Sequence, residues 1–400
     1  MNKIIFIGGI YPDFKMNEIK EKFGSLPQDA ADLFQKNLIS GLEEDICAPV
    51  TLFNTYFLPS SFLSFDRTEA YEWKGKYSTN YNLSYLRNRL FRFNSKTNAV
   101  VKAVSGYIEN YCGNEPVNTV VYPAYYPFLK AVKILKKKYK LNVCLVIPDL
   151  PEFMGLDSHR TLYNKSVEHY SSYQFSRYIS CVDSFVFLTE NMKDVIDYGN
   201  KPYRIIEGIA PHDYNYSECR IENTKKNIVY SGKLQMKYGL DVYLKAIELI
   251  DDDINFDFYG MGEGEEIIKK ASENDGRIRY MGYVLPDELH LIQQSATLLI
   301  NPRQNDHEFT KYSFPSKTME YMISGRPVIA YLLDGMPEEY SDYIISPAND
   351  NPESLAFTIK EYINKPEAQL SEIGIIAKEF VVKNKNAAVQ AEKILELFSL

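Results

Sequence analysis

The stretch from Leu298 to Ala330 most constrains the fold of this chain. It reads as a buried strand, a polar loop, a short helix and a second buried strand. Proline is tolerated in the first turn of a helix, where its missing N–H is not needed, so Ser313 before Phe314-Pro315 predicts the helix start. A glycine and a proline, Gly325 and Pro327, predict its end. The pattern predicts an α/β fold.

The start of this short helix is a candidate anion site. Unpaired N–H groups and the positive end of the helix dipole point at the loop, and Lys317 adds a full charge, which suits phosphate. Glu320 lies one turn on from Ser316 and Lys317. A carboxylate repels phosphate but can accept hydrogen bonds from hydroxyls, such as those of a ribose. One helix could therefore hold both halves of a nucleoside diphosphate. The alternative is a capped surface helix with an ordinary Lys–Glu pair.

Length and composition predict a two-domain globular protein. A chain of 400 residues exceeds what one core usually spans, and its 45% hydrophobic and 24% charged residues are typical of globular proteins. The sequence has no apolar run of 18 residues and no basic-then-apolar leader, so we expect a cytoplasmic protein. Its five cysteines are odd in number and form no CxxC, which indicates neither a disulfide framework nor a zinc site.

The charge is distributed unevenly between the two halves. Residues 1–207 carry 25 Lys+Arg and 22 Asp+Glu, a net charge of +3, whereas residues 208–400 carry 20 and 31, a net charge of −11. Nucleic acid is a poor partner for such a chain. An anionic membrane or a phosphorylated acceptor could still be drawn to the first half.

The first half alternates strands and helices up to a linker at 207–226. An apolar run ending in Gly8-Gly9 predicts a buried strand followed by a loop where the backbone can approach a ligand. Asp149 lies just past a predicted strand at 141–147, where open parallel sheets bind ligands. Asp149 and Glu152 are therefore candidates to face an acceptor hydroxyl, and a loop-capping role for Asp149 stays open.

Residues 54–97 interrupt this alternation with many aromatic residues and several arginines, and the next helix is predicted at 98–111. Such an insertion could bind a glycan by stacking or rest on a membrane surface, and it could equally be a locally packed excursion. The lysines between Lys130 and Lys138 could contact an anionic bilayer, or they could form a basic helix face that is only solvated.

The second half places glycines after several predicted strands. The strand at 227–230 is followed by Ser231-Gly232-Lys233 and then by Lys237. A strand, a glycine turn and two lysines are typical of a phosphate-binding site. Glycines also follow the next strands, at 260, 262 and 282. Backbone is thus expected close to a ligand at one sheet edge. The GxGxG at 260–264 is a poor dinucleotide motif, because it lacks a sixth-position glycine and is followed by acidic residues.

Four segments of this half resemble the GT-B glycosyltransferases, and within them the retaining family 4 type. They are YSGKLQMKYGLDVYLKA (230–246), FYGMGEGEE (258–266), MGYV (281–284) and YSFPSKTMEYMISGRPVIA (312–330). The resemblance implies two Rossmann-like domains facing across a cleft. The expected boundaries are 1–207 for the acceptor domain and 208–383 for the donor domain, with a last helix at about 384–400 packing back on the first.

Roles for individual residues follow from this resemblance. Lys233 would contact the donor diphosphate with help from Lys237, and Glu320 would hold the ribose. Tyr283 and Val284 match the loop that contacts the nucleobase. The residues expected to bind the donor are Gly8, Gly9, Gly232, Lys237, Gly260, Gly262, Tyr283, Val284, Tyr312, Ser313, Phe314, Ser316 and Glu320. Those expected to take part in the chemistry are Lys233, Lys317, Glu308 and Asp149.

One position departs from the family pattern. The family has a second glutamate eight residues before the one matched by Glu320, and this chain has Tyr312 there. Glu308 is nearby and could supply that carboxylate to the donor sugar. The SFPSK sequence resembles a capsular and exopolysaccharide branch, in which Lys317 would join the phosphate site.

The predicted function is retaining transfer of a sugar from a nucleotide-diphosphate sugar to a glycan or polyprenyl-linked acceptor in cell-surface polysaccharide synthesis. No divalent metal or other cofactor is expected, and the enzyme would work in the cytoplasm, with peripheral contact to the inner membrane face through its first domain. The alternatives are a non-catalytic GT-B partner subunit, which Tyr312 favours, and a sugar-nucleotide epimerase, for which His307 is the nearest histidine.

Overall fold

The computed structural model describes residues 3–23, 28–46, 49–58, 64–150, 162–210, 225–306 and 308–399. The chain divides into two compact units. The first unit comprises Met1–His212 and Ala387–Leu400, and the second comprises Asp213–Asn386. None of the helices in the described ranges is long and apolar enough to cross a membrane. The predicted linker at 207–226 and the candidate residues Glu152 and His307 lie largely or wholly outside those ranges.

The first unit is built on an eight-stranded sheet with helices interspersed along the chain. Its elements are β1 (Ile4–Gly8), α1 (Met16–Phe23), α2 (Asp29–Ile46), β2 (Val50–Asn54), β3 (Tyr71–Lys74), β4 (Thr79–Asn82), α3 (Arg92–Tyr111), β5 (Val117–Val121), α4 (Tyr126–Leu135), β6 (Leu141–Ile147), α5 (Leu162–Tyr178), β7 (Ser184–Phe187) and β8 (Tyr203–Ile205). The strand order is β3-β4-β2-β1-β5-β6-β7-β8. Only the β3–β4 pair of this sheet is antiparallel.

The central strands of this sheet are continuous apolar runs because both of their faces are covered. Residues of β1 and β6 are almost wholly buried, in a core that also contains residues of α2 and of the last helix, α12 (Ala387–Ser399). That helix approaches α2 closely, since a Cβ added at Gly41 would lie 2.1 Å from the Ala387 carbonyl oxygen. Only glycine permits this contact, so Gly41 sets the distance between the two helices.

The second unit is built on a five-stranded parallel sheet. Its elements are β9 (Asn227–Ser231), α6 (Leu240–Glu248), β10 (Asn255–Tyr259), α7 (Glu265–Asn274), β11 (Ile278–Gly282), α8 (Pro286–Ser295), β12 (Leu298–Asn301), α9 (Ser316–Ile323), β13 (Val328–Ala330), α10 (Pro352–Ile363) and α11 (Glu367–Asn384). The strand order is β11-β10-β9-β12-β13. Because every strand runs the same way, the loops after β9, β10, β11 and β12 all leave from one edge of the sheet.

Three predicted elements differ from the structure. Helix α3 begins at Arg92, six residues before the predicted start, and the aromatic stretch before it contains the β3–β4 hairpin. After Ala330 the sequence also predicts a strand-like run at 342–345, where the structure has a 3-10 turn ending at Asp342 and a single bridge from Ile345 to Ile329. The short helix of the 298–330 stretch begins at Ser316, so Pro315 precedes the helix and does not lie within its first turn.

Candidate functional site

The loop after β9 is held in place by backbone hydrogen bonds to the neighbouring loop. The Gly232 amide donates to the Tyr259 carbonyl oxygen at 3.0 Å, and the Leu234 amide donates to that of Met261 at 2.9 Å. The buried Tyr230 hydroxyl donates to the Lys233 carbonyl oxygen at 2.8 Å. These bonds fix the backbone on both sides of Lys233, whose side chain is exposed. The lysine charge is thus presented from a fixed position at the sheet edge.

The glycines after β10 make room for this same loop. A Cβ added at Gly260 would lie 1.9 Å from the Gly232 carbonyl oxygen, and one added at Gly262 would lie 2.3 Å from that of Leu234. Both glycines therefore lie against the backbone of the β9 loop, and their contact with a donor stays a prediction. Their role is to bring the β9 and β10 loops together.

A buried tyrosine of α9 joins that helix to the end of β9. The Tyr321 hydroxyl accepts from the Ser231 amide at 2.7 Å and donates to the Ser231 carbonyl oxygen at 2.9 Å. The Tyr321 hydroxyl oxygen also accepts a hydrogen bond from the Ser231 hydroxyl at 3.3 Å, so both of its lone pairs are used. Burial raises the pKa of Tyr321, so the hydroxyl stays protonated. The sequence gives no signal for this contact, since the two residues are far apart along the chain.

Removing the Tyr321 hydroxyl should destabilise the protein. Tyr321→Phe leaves the Ser231 amide and carbonyl without this partner in a buried position, and we expect a loss of about 1–3 kcal/mol in the free energy of unfolding. Urea titration measures it. Tyr362→Phe, at a half-buried tyrosine of α10, is the control and should change little. Equal stability of both variants would refute the tie between α9 and β9.

Lys317 and Glu320 form an ion pair on α9 beside the β9 loop. The Lys317 Nζ lies 2.9 and 2.8 Å from the two carboxylate oxygens of Glu320, and both side chains are about two-fifths exposed. A Cβ built on Gly232 would lie 3.8 Å from Lys317 Cε, so the lysine passes close to the β9 loop. Both the ammonium and the carboxylate remain reachable from solvent at the sheet edge.

A buried glutamine of α8 orients the Glu320 carboxylate. The Gln293 Nε2 donates to Glu320 Oε1 at 2.7 Å and to the Ser231 Oγ at 3.1 Å. The carboxylate is therefore connected through Gln293 and Ser231 to the Tyr321 hydroxyl. Sequence reasoning missed Gln293, because nothing in the pattern of α8 pairs it with a residue 27 positions later.

The residues before α9 are arranged differently from the predicted helix start. The Ser313 hydroxyl donates to the Phe309 carbonyl oxygen at 3.1 Å and so does not cap α9. Phe314 is buried against the Tyr340 ring at 5.2 Å between centroids. The Ser316 amide donates to the Phe314 carbonyl oxygen at 3.0 Å, so that amide is already used within the chain.

Arg303, after β12, is a cation that the sequence analysis missed. Its guanidinium donates to the Ser313 hydroxyl at 2.7 Å and lies over the rings of Phe309 and Tyr238, at 4.7 and 5.6 Å from their centroids. Burial lowers the pKa of Arg303 from its ordinary very high value, which leaves it charged at neutral pH. Arg303 thereby joins the β9 loop to the segment that precedes α9.

The remaining candidate residues of this unit lie in the segments that follow β9, β11 and β12. Tyr283 follows β11 and is 59% exposed, with Val284 half-buried next to it. Lys237 lies in the loop between β9 and α6, with its ammonium 5.4 Å from the ring centroid of Tyr238. The exposed Glu308 begins a 3-10 helix that ends at the half-buried Tyr312. Each lies in a segment that follows a strand of the second sheet, and its contact with a donor stays a prediction.

Gly8 and Gly9 lie in the first unit, where their loop is buried. The Gly9 amide donates to Gln35 Oε1 at 2.9 Å, and the Gln35 Nε2 donates back to the Gly9 carbonyl oxygen at 3.1 Å. A Cβ added at Gly8 would lie 2.5 Å from Gln35 Oε1, and one added at Gly9 would lie 3.0 Å from the Phe57 ring. The small size of both residues thus allows Gln35 and Phe57 to pack onto the loop.

Asp149 also belongs to the first unit. It is exposed and lies two residues past the end of β6, at the carboxyl edge of the first sheet. Its charge contributes, after the dominant effect of burial, to the raised pKa of Tyr122. The structure thus places this carboxylate at the predicted strand end and close to a buried phenol.

The second unit combines complementary groups at one sheet edge. Lys233 and Lys317 provide positive charge, while Glu320 provides a carboxylate that Gln293 orients. Such a combination can bind a polyanion and a pair of hydroxyls side by side. In the structure the Lys317–Glu320 pair is closed on itself, which is also the geometry of an ordinary helix-surface pair.

Comparisons with known proteins show which families and structures this chain resembles. Residues 225–365 match the model of a family described as glycosyl transferases group 1. Among solved structures, a sucrose-phosphate synthase from Thermosynechococcus elongatus matches with 13% identity, all of both chains covered and a TM-score of 0.65. HepE of Anabaena in complex with UDP matches with 13% identity, 99% of each chain covered and a TM-score of 0.60. A search of curated proteins found no match.

A third match is the α,α-trehalose 6-phosphate synthase from Burkholderia multivorans, with 9% identity, 100% of this chain and 97% of the other covered, and a TM-score of 0.61. At such identities the likeness defines the fold, which is GT-B over the whole chain. Together, the GT-B fold and the group 1 match in the second unit support a glycosyltransferase of GT-B type.

Proposed function

We propose that the protein is a retaining glycosyltransferase of cell-surface polysaccharide synthesis. It moves a sugar from a nucleotide-diphosphate sugar to a glycan or polyprenyl-linked acceptor. The observation that carries the proposal is the Lys317–Glu320 pair of α9 beside the β9 loop, with Gln293 orienting the carboxylate. UDP in complexes of matching proteins, among them HepE, supports a nucleotide donor.

In this proposal, binding of the donor breaks the ion pair between Lys317 and Glu320. The diphosphate takes Lys317 and Lys233, and the ribose hydroxyls donate to the Glu320 carboxylate. Because one ion pair at a partly exposed site contributes little to stability, its replacement by two ligand contacts costs little. Tyr283 and Val284 contact the base, and Arg303 keeps the loops after β9 and β12 together around the donor.

The chemical step is heterolysis of the anomeric C–O bond, in which negative charge develops on the departing diphosphate. Fixed cations lower that barrier, and the loss of one comparable donor in an oxyanion site costs about 3–4 kcal/mol. Lys233 and Lys317 take this role, so we propose that no divalent metal is required. Glu308 contacts the donor sugar in place of the family glutamate that Tyr312 replaces, and Asp149 faces the acceptor hydroxyl. The enzyme works in the cytoplasm, at the inner face of the membrane.

Replacing Lys317 should weaken nucleotide binding. We expect Lys317→Ala to lower the affinity for one class of nucleoside diphosphate at least tenfold, because a charge-assisted contact to phosphate is lost and Glu320 is left to repel it. Calorimetry with UDP, GDP, ADP and CDP, with EDTA present, measures this. The control is Lys245→Ala, at an exposed lysine of α6, which should bind as the wild type does.

Binding and turnover assays with nucleotide sugars that carry these four bases test the competing function. Tyr312, at the position of a family glutamate, favours a non-catalytic partner subunit. Binding of a nucleotide sugar without its turnover, even when candidate acceptors are added, would support that alternative. If no nucleotide binds at millimolar concentration, the transferase proposal fails. A requirement for a divalent metal would refute the metal-independent mechanism.

A further inference from the structure

Lys96 of α3 is buried inside a cage of aromatic rings in the first unit. Its side chain is 4% exposed. The Nζ atom lies 4.4 Å from the ring centroid of Tyr85, 4.9 Å from that of Phe57 and 5.2 Å from that of Tyr125. We call Lys96 and these three residues the aromatic cage. The cage belongs to the first unit, whereas Lys233, Lys317 and Glu320 belong to the second.

The cage contains positive charge and no carboxylate. In the described part of the chain, neither a hydrogen bond nor an ion pair to Lys96 is present. Arg92 lies one helical turn earlier on α3, where like charges repel. Its Nε atom is buried without a hydrogen-bond partner among the described residues. Burial, and to a lesser extent Arg92, lower the pKa of Lys96 to about 7.

Such an arrangement is costly unless something else pairs with it. An ammonium has three N–H donors, and burying it without hydrogen bonds is strongly unfavourable. Contacts with ring faces recover only part of that cost. An oxyanion near Lys96 and Arg92 would satisfy both cations with charge-assisted hydrogen bonds.

The cage lies where open α/β sheets bind their ligands. Phe57 follows the carboxyl end of β2 and Tyr125 follows that of β5, and both strands flank β1 in the sheet. The Phe57 ring also packs on Gly9, the residue after β1. Three neighbouring strand ends therefore converge on Lys96, at the edge where Rossmann-like domains hold small molecules.

We propose that Lys96 and Arg92 bind an acidic group, a carboxylate or a phosphate, carried by the sugar that accepts the transferred residue. The assignment to the acceptor rests on the proposed transferase function, whereas the anion site itself does not. The aromatic rings exclude water around the pair of cations, which strengthens their attraction for an oxyanion. A neutral sugar of the same shape would leave the two cations unpaired and would bind more weakly.

Calorimetry on the full chain tests the anion site at pH 6, where Lys96 is charged. The probes are glucuronic acid, glucose 6-phosphate, neutral glucose and inorganic phosphate. Lys96→Met keeps the length of the side chain and removes the charge. Lys102→Met makes the same substitution at an exposed lysine further along α3. We expect at least one acidic sugar to bind the wild type and Lys102→Met equally, and Lys96→Met at least tenfold more weakly.

A pH series with glucuronic acid provides a second readout, because its carboxylate keeps its charge between pH 6 and pH 8. Among the residues that the structure describes, the titratable groups facing Lys96 are Arg92, Tyr85 and Tyr125, and burial raises the pKa of both phenols. Of these four groups, Lys96 alone changes charge in this range. Wild-type affinity should fall roughly tenfold from pH 6 to pH 8, and the residual affinity of Lys96→Met should not change.

Three outcomes overturn the proposal. They are equal affinity of wild type and Lys96→Met, failure of both acidic sugars to bind at millimolar concentration, and tighter binding of inorganic phosphate than of either sugar. Binding of only one acidic sugar identifies the group as a carboxylate or a phosphate. Titration of the same samples with UDP, GDP, ADP and CDP separates the two proposals. If none of these nucleotides binds to any sample, the transferase proposal fails, while the anion result stands by itself.

Discussion

Gly260→Ala is expected to destabilise the second unit by about 3 kcal/mol or more and to abolish nucleotide binding. Gly260 has φ +127°, a conformation that L side chains rarely adopt, and its added Cβ would lie 1.9 Å from the Gly232 carbonyl oxygen. Backbone cannot move aside as a flexible side chain can. The β9 loop must shift, and Lys233 with it. Urea titration and nucleotide calorimetry measure the two effects.

The control is the same substitution at Gly276, between α7 and β11. A Cβ there meets no atom within 4 Å, and the backbone is not left-handed. Gly276→Ala should leave nucleotide affinity unchanged and alter stability by less than about 1 kcal/mol. A Gly260→Ala protein with wild-type stability and affinity would show that the close packing of the two loops does not support the site.

Lys96→Met should stabilise the protein most at low pH. Burial lowers the pKa of Lys96 in the folded state to about 7 from an ordinary value of 10.5. Below pH 7 the lysine is charged in both states and the folded state bears the full cost of burying the charge. As pH rises, the folded state loses its proton before the unfolded state does, so wild-type stability increases.

The measurable quantity is the difference in free energy of unfolding between Lys96→Met and wild type. All other titratable groups are common to both proteins, so they cancel. The difference should shrink by about 2 kcal/mol from pH 7 to pH 9. Lys102→Met should show no such dependence, since Lys102 is exposed. A difference that stays constant over this range would mean that Lys96 is charged in the folded protein throughout.

The sequence predicted the α/β fold and the strands that carry the candidate site. Strands such as β9 and β12 are continuous apolar runs bounded by glycine or proline, and this pattern depends only on burial and local chain geometry. The short helix after β12 was placed at the right position, but its first residue was wrong. Ser313 interacts with Arg303 and Phe309 instead of capping the helix, and no local pattern predicts that.

The aromatic stretch at 54–97 also has contacts that local sequence patterns do not predict. It has no clean period because its rings serve different neighbours: Tyr85 and Phe57 surround Lys96, whereas Phe65 and Phe91 are exposed. Helix α3 therefore begins inside a stretch that carried no helical signal. Local sequence cannot distinguish a ring that packs on a buried lysine from one that faces solvent.

Local sequence patterns predict which residue types occupy the strand ends, because hydrophobic periodicity and glycine turns are properties of neighbouring residues. They thereby predict the fold class and the presence of Lys233, Lys317 and Glu320 at one sheet edge. Which groups meet there depends on how the chain folds in three dimensions. Gln293 and Tyr321 contact the site across long sequence separations, and Lys96 is caged by rings from three separate segments. Such contacts follow from strand order and helix packing, which one-dimensional patterns do not encode.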